Sequence, residues 1–148
     1  MNSRIAFLDF DGVLNNHTFF KKLGHIPQEL TFDPNNIHQL QRLAKDFLFV
    51  ISSAWRLDFT TGHLTEVLKA AGFTGTIIDQ TPSGPFLRGD CIMEWMRAHR
   101  TKLEDIVILD DQNDMGVLLP RLVQTNPLYG LTAGDVNACF ELLRIKQK

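Results

Sequence analysis

Five short apolar runs, separated by stretches with helical periodicity, constrain the fold of this chain more than any other feature. The runs are continuous rather than alternating, which is typical of parallel strands buried on both faces of a sheet. Parallel strands need long crossover connections, which are usually helical. The sequence therefore predicts an α/β fold with a mostly parallel central sheet flanked by helices. The predicted strands are residues 5–8, 47–51, 76–78, 106–109 and 122–124.

Helix-boundary signals fall between and after these runs. Asp33 before Pro34 is typical of an N-cap followed by proline at the first helical position, and Gly72 is a natural helix terminator. Thr132 and Asp135 have the spacing of a capping box. The predicted helices begin at Pro34, span about 61–71 and 88–99, and run from just after Thr132 to about residue 145.

Composition limits the size, charge and compartment of the protein. With 148 residues, 44% of them hydrophobic, we expect one compact domain over residues 1–148. The 15 basic and 17 acidic side chains give a formal charge of −2, so a polyanion would have to be held locally. Cys91 and Cys139 do not form a disulfide framework, and no signal-peptide or membrane-spanning pattern is visible in the sequence. We therefore expect a cytoplasmic protein with no membrane partner, and the sequence leaves its oligomeric state open.

Two aspartates stand where the first predicted strand ends. Residues 7–14 read FLDFDGVL, and in an extended chain the carboxylates of Asp9 and Asp11 point the same way. Two like charges this close are tolerated when a divalent cation lies between them or when one carboxylate holds a proton. Either arrangement suits phosphoryl transfer, in which one carboxylate attacks phosphorus and its neighbour moves the proton. The alternative is a plain hairpin turn at Asp11-Gly12.

Polar side chains also follow the second and fourth predicted strands, namely Ser52, Ser53, Asp110, Asp111 and Asp114. The carboxyl ends of parallel strands share one edge of the sheet, where ligands gather. There Ser52 could donate its hydroxyl to a phosphate oxygen, and Asp110 with Asp9 could hold Mg²⁺, a cation that prefers oxygen ligands. The alternatives are a helix cap at the serines and an acidic helix N-terminus at residues 110–114.

A cation is needed to offset the charge of these carboxylates and of a phosphate. Lys102 lies just before the fourth strand, at the opposite edge of a parallel sheet. Arg88 begins a helix that runs antiparallel to the strands, so it starts at the carboxylate edge, and we expect it to be the cation. The alternative is an exposed surface arginine. Arg56, four residues after Ser52, is a further candidate for contact with a substrate phosphate.

The segment of residues 15–32 fits no regular pattern. It carries Phe19 and Phe20 directly before Lys21 and Lys22. Aromatic rings beside lysines could stack on a base and contact a phosphate. We favour the alternative that this is a short amphipathic piece, which packs on the body of the domain with its lysines in solvent.

The motifs together resemble one superfamily. FLDFDGVL, VISS, Arg88 and ILDD follow one another over residues 5–114 in the order found in the haloacid dehalogenase (HAD) superfamily of aspartate-nucleophile phosphatases. The stretches SSAWR, RGDCI, ILDD and GLT also resemble the HAD domain of Swiss Army Knife RNA-repair proteins. This resemblance implies a Rossmann-like fold and dependence on Mg²⁺. Residues 14–47 and 53–88 leave too little chain for a large cap domain, so we expect a minimal cap or none.

The superfamily pattern also implies roles for the matching residues. Asp9 would be the nucleophile, and Asp11 would be the general acid and then the general base. Ser52 would bind phosphate together with the main-chain amides that follow Asp9. Residues expected to contact the substrate are Phe10, Gly12, Ser53 and Arg56.

The same pattern implies a metal site and one departure from the usual residues. Asp9, the main-chain carbonyl of Asp11, and Asp110 would be ligands of Mg²⁺, with Asp111 acting through a water molecule. Arg88 stands where the superfamily more usually has lysine. An arginine can still neutralise charge, so the departure is compatible with activity.

From these residues we expect a Mg²⁺-dependent phosphatase that hydrolyses a phosphomonoester through an aspartyl-phosphate. A site without a large cap admits a phosphorylated polymer end, as in nucleic-acid repair, and also a nucleotide, another small ester or a phosphoprotein. One alternative is a receiver-type phosphate-binding signalling module, which is disfavoured because no mid-chain acceptor aspartate stands in an equivalent setting. The other is a catalytically silent HAD-like module, although Asp9, Asp11, Ser52 and Asp110 are all present.

Overall fold

A computed structural model of the chain describes residues 3–84 and 87–145. At its centre is a five-stranded sheet with the spatial order β3-β2-β1-β4-β5, in which every pair of neighbours is parallel. The predicted α/β, Rossmann-like architecture is therefore confirmed, and the sheet is entirely parallel. The strands are β1 (Ile5–Leu8), β2 (Leu48–Ile51), β3 (Thr76–Gln80), β4 (Ile106–Asp110) and β5 (Leu122–Gln124).

Helices connect and cover the strands. The described α-helices are α1 (His17–Leu23), α2 (Pro34–Gln41), α3 (Thr61–Ala70), α4 (Arg88–His99) and α5 (Ala133–Leu142), and short 3₁₀ helices span Ala54–Leu57, Leu103–Asp105 and Gly116–Arg121. The capping box of Thr132 and Asp135 forms as predicted at the start of α5. That helix ends before the predicted residue 145, because Arg144 takes a left-handed conformation with φ of 54°.

Side chains of the strands alternate between two cores. Ala6 and Leu8 of β1 join the core beneath α2, α3 and α5, whereas Ile5 and Phe7 join the core beneath α4. In the second core the ring of Phe7 meets Trp95 of α4 edge-on, with the ring centroids 5.4 Å apart. Burial on both faces explains why the strands read as continuous apolar runs, and each buried side chain of this size contributes about 1.5–3 kcal/mol.

The segment between β1 and α2 adds one short helix and no further domain. Asn16 caps α1 by accepting from the amide of Phe19, and Gly24 ends it with φ of 83°. Phe19 is half-buried and Lys21 and Lys22 are exposed, which agrees with the favoured amphipathic interpretation. Because β1 pairs only with the parallel strands β2 and β4, the alternative of a hairpin at Asp11-Gly12 is wrong.

Two further expectations concern cysteines and membranes. Cys91 and Cys139 are both buried and free of disulfides, as predicted. Over residues 3–84 and 87–145, no helix has the length and apolar character that crossing a bilayer requires.

Candidate active site

Two buried aspartates lie side by side at the carboxyl-end edge of the sheet. Asp110 is the last residue of β4, and Asp9 follows β1, with its amide donating to the Leu109 carbonyl at 3.0 Å. Because β1 and β4 are adjacent and parallel, both carboxylates emerge at the same place. Asp9, Asp110 and Asp111 each offer one oxygen, and these three atoms lie within 4.8 Å of one another. The predicted convergence of the first and fourth strand ends is therefore present.

Arg88 places its guanidinium between the two buried carboxylates. Its Nη1 lies 2.7 Å from Asp110 Oδ2 and 3.0 Å from Asp9 Oδ2, and its side chain is 20% exposed. The residue is delivered by the first turn of α4, which packs so tightly that a Cβ at Gly89 would lie 2.6 Å from the Met115 carbonyl oxygen. The expected position of Arg88 at the carboxylate edge is confirmed, and the alternative of an exposed surface arginine is wrong.

Burial sets the protonation of this cluster. Burial raises the pKa of Asp9 well above its usual value, and the neighbouring charge of Asp110 raises it further against the opposing effect of Arg88. Burial also raises the pKa of Asp110. Burial alone would lower the pKa of Arg88, but the two carboxylates outweigh that effect and raise it. The single positive charge of Arg88 therefore cannot neutralise the three neighbouring carboxylates of Asp9, Asp110 and Asp111.

Asp11 lies at the open side of the cluster and its carboxylate is held at both oxygens. The indole Nε1 of Trp55 donates to Asp11 Oδ2 at 2.9 Å, and Asn15 Nδ2 donates to Asp11 Oδ1 at 2.9 Å. Asp11 is exposed, unlike Asp9. Two donors on an exposed carboxylate fix its direction while leaving it in contact with solvent, which is the setting that a group exchanging protons with water needs.

Ser52 presents a buried hydroxyl that is without a partner among the described residues. Its amide donates to the Leu8 carbonyl at 2.9 Å, which continues the β1–β2 pairing and holds Ser52 beside Asp9. A buried hydroxyl without a hydrogen bond costs about 1–3 kcal/mol. Such a donor next to the carboxylate cluster is suited to an oxygen atom of a bound ligand.

Ser53 and Arg56 both make hydrogen bonds within the protein, and their contact with a substrate stays a prediction. Ser53 Oγ accepts from the Trp55 amide at 3.3 Å and caps the following 3₁₀ helix, as the capping alternative proposed. Arg56 donates from Nε to the Thr81 carbonyl at 3.0 Å and from Nη1 to the Ser53 carbonyl at 3.0 Å. Its Nη2 donates to the Pro82 carbonyl at 3.2 Å. Arg56 thus ties the loops after β2 and β3 together, and its guanidinium points at main-chain carbonyls.

Phe10 and Gly12 shape the turn after β1 in different ways. The Phe10 side chain is fully buried against Phe32, so any contribution to a ligand comes from its main chain. The Gly12 amide donates to Asn15 Oδ1 at 3.1 Å and is already used inside the loop, which departs from its predicted role toward phosphate. Gly12 has φ of 82°, and a Cβ there would lie 2.5 Å from Asp111 Oδ2. This glycine lets the turn approach Asp111 closely.

The acidic stretch after β4 is a loop and not a helix start. Asp110 Oδ1 accepts from the Gln112 amide at 2.9 Å, and the next described element is the 3₁₀ helix that begins at Gly116. The alternative of an acidic helix N-terminus is therefore wrong. Asp114 lies on the other side of the loop, where its Oδ2 accepts from the Arg88 amide at 3.3 Å and steadies the start of α4.

The comparison with known families agrees with this geometry. The family described as the HAD domain in Swiss Army Knife RNA repair proteins matches residues 5–136, which is most of the chain and includes every site residue above. The chain belongs to this family. No curated protein and no solved structure matches it. Membership in this HAD family accounts for the order of the strand-end motifs and supports a phosphatase-like activity in general.

Sequence reasoning missed three features of this HAD domain. The Trp55–Asp11 hydrogen bond joins loops 44 residues apart in sequence, and spacing gave no sign of it. Asn15 stands four residues after Asp11, a spacing that predicts contact within one turn, and was overlooked. Thr81 follows β3 beside Ser52, and its buried hydroxyl also has no partner among the described residues.

Proposed function

We propose that this protein is a Mg²⁺-dependent phosphatase that hydrolyses a phosphomonoester through an aspartyl-phosphate formed on Asp9. The observation that carries the proposal is the set of three carboxylate oxygens within 4.8 Å, contributed by Asp9, Asp110 and Asp111 and accompanied by Arg88. Membership in the HAD family supports the same chemistry. Phosphoryl transfer depends chiefly on positioning and charge stabilisation, and a buried acidic cluster beside an arginine suits both needs.

The donor set fits a hard divalent cation. Asp9, Asp110 and Asp111 offer oxygen atoms, which Mg²⁺ prefers. Burial and, after it, the neighbouring charge of Asp110 raise the pKa of Asp9, and a bound cation would oppose both effects. The carboxylate of Asp11 is engaged by Trp55 and Asn15, so Asp11 would contribute its main-chain carbonyl. Mg²⁺, when bound, would neutralise charge on the phosphoryl oxygens.

Each protein group has a defined part in the two steps. Asp9 attacks phosphorus as the bond to the leaving oxygen breaks, and Asp11, protonated at this stage, gives its proton to that oxygen. Asp11 then takes a proton from a water molecule, whose oxygen attacks the aspartyl-phosphate, releases inorganic phosphate and restores the Asp9 carboxylate. Arg88 stabilises the charge at Asp9, and the Ser52 hydroxyl donates to a phosphoryl oxygen.

The substrate we propose is a phosphate on a nucleic-acid end or on a nucleotide. The insertion after β1 contributes only α1, so no domain among the described residues closes over the cluster. The family to which the chain belongs is described by RNA repair, which favours a nucleic-acid substrate. The net charge of −2 implies that contacts with such a substrate are local to the site.

Phosphate release tests this proposal. The substrates are generic phosphate esters, nucleotides and oligonucleotides with a 3′- or 5′-phosphate, each with Mg²⁺ or EDTA. We expect Mg²⁺-dependent turnover in the wild type and none above background in Asp9→Asn, because Asn cannot form the acyl-phosphate. Asp46→Asn, at the opposite edge of the sheet before β2, is the matched control and should stay active. Full activity in Asp9→Asn would refute the assignment of Asp9 as the nucleophile. Absence of turnover on every ester would favour a phosphate-binding module without phosphatase activity.

A further inference from the structure

Two adjoining cavities form a trough that starts at Asp11. The first has a volume of about 270 Å³ and is lined at one end by Asp11, Gly12 and Asp111. The second has a volume of about 510 Å³ and extends away from the carboxylates along α3. Glu29, Leu30 and Trp55 line both cavities, so the two cavities adjoin one another. Their combined size is in the range of small-molecule sites in proteins.

The trough lies on the side of the leaving group. In the proposed function, on which this inference rests, Asp11 protonates the leaving oxygen, so the atoms bonded to that oxygen must lie beside Asp11. Asp11 lines the first cavity. The group that is esterified to the phosphate therefore extends into the trough. The residues that line the trough indicate the chemical class of that group.

The lining combines apolar and aromatic side chains with the carboxylates of Asp11 and Asp111 in the first cavity. Phe20, Ile26 and Leu30 form one wall of the first cavity. None of the described residues that line either cavity is lysine or arginine, and Glu29 adds a carboxylate. A second phosphate would find no cation there, whereas an uncharged group would be accommodated.

The opposite wall carries a row of three rings, those of Trp55, Phe59 and His63. The ring centroids of Trp55 and Phe59 are 5.9 Å apart with planes at 23°, and those of Phe59 and His63 are 4.8 Å apart with planes at 21°. All three residues line the second cavity. Because Phe59 stacks with both Trp55 and His63, a further planar group would stack at an end of the row, and Trp55 is the end that also lines the first cavity.

We propose that the trough binds the nucleoside of the phosphomonoester, with its base against the ring of Trp55. A nucleoside is uncharged, carries a planar ring and has hydrogen-bonding groups that Glu29 and Gln28 can meet. An aliphatic or sugar phosphate would leave the ring wall unused. The same Trp55 that holds Asp11 by its indole N–H therefore also contacts the substrate, which links base recognition to the acid catalyst.

The test compares two esters of the same hydroxyl. AMP carries adenine where ribose 5-phosphate carries the anomeric hydroxyl, so the ratio of their kcat/KM values measures what the base contributes relative to that hydroxyl. We expect the wild type to prefer AMP by about tenfold or more, which is the scale of one base–aromatic stack. The ratio also cancels any effect on the chemical step that the two substrates share.

Substitutions in the row of rings test whether these rings cause the preference for AMP over ribose 5-phosphate. Trp55→Leu should bring the ratio near one, whereas Trp55→Phe keeps a ring and should preserve most of the preference, although both substrates react more slowly without the N–H to Asp11. Phe59→Ala should lower the ratio by weakening the support of Trp55. Leu57→Ala is the matched control, because Leu57 is 59% exposed in the same 3₁₀ helix and lines neither cavity.

Failure of this inference and failure of the phosphatase are separable. Turnover of both esters with a kcat/KM ratio near one would refute base binding in the trough, whereas the proposed phosphatase activity would still be supported. If neither ester is hydrolysed, calorimetric titration of Asp9→Asn with AMP and with ribose 5-phosphate decides the matter, because the heat of binding does not depend on Trp55 as a reporter. Tighter binding of AMP, lost in Trp55→Leu, supports the trough, and equal or absent binding overturns it.

Discussion

Replacement of Arg88 by methionine tests the electrostatic design of the site most directly. Nη1 of Arg88 lies 2.7 and 3.0 Å from the carboxylates of Asp110 and Asp9, which form no other ion pair among the described residues. Removing one partner of a buried ion pair costs about 3–5 kcal/mol. Because the two aspartates can take up protons in response, we expect Arg88→Met to lower the free energy of unfolding by about 3 kcal/mol at neutral pH without metal.

The pH dependence of that loss distinguishes charge from packing. Burial already raises the pKa of Asp9 and Asp110, and loss of Arg88 raises both further. A carboxyl whose pKa is higher in the folded than in the unfolded state favours folding below its unfolded pKa and ceases to do so as pH rises through the folded pKa. The destabilisation of Arg88→Met should therefore be smaller at pH 5 than at pH 8.

Urea unfolding in EDTA at pH 5 and pH 8 measures this difference. Arg88→Lys is the control, because lysine keeps the charge at a similar reach while losing the planar fork. It should retain most of the stability and, with Mg²⁺, activity within about tenfold of the wild type, whereas Arg88→Met should lose about a thousandfold in kcat. An equal destabilisation at the two pH values, or equal behaviour of the Lys and Met variants, would refute the reasoning.

Two further substitutions separate function from stability, each followed by urea unfolding and phosphate release. Ser52→Ala removes a buried hydroxyl that lacks a partner, so stability should stay unchanged or rise by about 1 kcal/mol while kcat/KM falls about tenfold or more; a clear loss of stability would contradict this. Gly89→Ala drives a Cβ against Met115 and should cost about 1–3 kcal/mol and lower activity by displacing Arg88. Gly62→Ala, where a Cβ meets only open space and a hydroxyl at 3.9 Å, should instead gain about 0.5–1 kcal/mol, and similar results for the two glycines would contradict the packing argument.

Strand-end reasoning predicted which side chains meet because it depends on topology alone. Asp9, Ser52 and Asp110 follow neighbouring parallel strands, so the order β2-β1-β4 brings them to one edge whatever the details of packing. The same logic chose Arg88 over Lys102, since α4 runs back across the sheet and begins at the edge where the strands end. These placements needed only the apolar runs and the direction of the chain.

Contacts between loops could not be predicted in the same way. Arg56 was expected to face a phosphate, yet the carbonyls of Ser53 and Thr81 lie within 3.0 Å and satisfy it internally. Gly12 was expected to contact the substrate, and its amide donates to Asn15 Oδ1 within the loop. In both cases a main-chain group exposed by an irregular turn had to find a partner, and which partner it finds depends on the folded geometry.

The buried side-chain oxygens that have no hydrogen bond lie at the same edge of the sheet as the aspartates that lack a full set of positive partners. Among the described residues, the buried side-chain oxygens without a hydrogen bond belong to Ser52, Gln80 and Thr81, at the carboxyl ends of β2 and β3. The N-termini of α1, α2, α3 and α5 are capped by the side chains of Asn16, Asp33, Thr60 and Thr132. Because the missing hydrogen bonds and the missing positive charge are at one edge, a phosphate and a cation bound there would supply both. A ligand at a hundred times its Kd would stabilise the folded state by about 2.7 kcal/mol. The stability given up at Asp9 and Ser52 is therefore recoverable on binding, which unsatisfied groups scattered through a core would not allow.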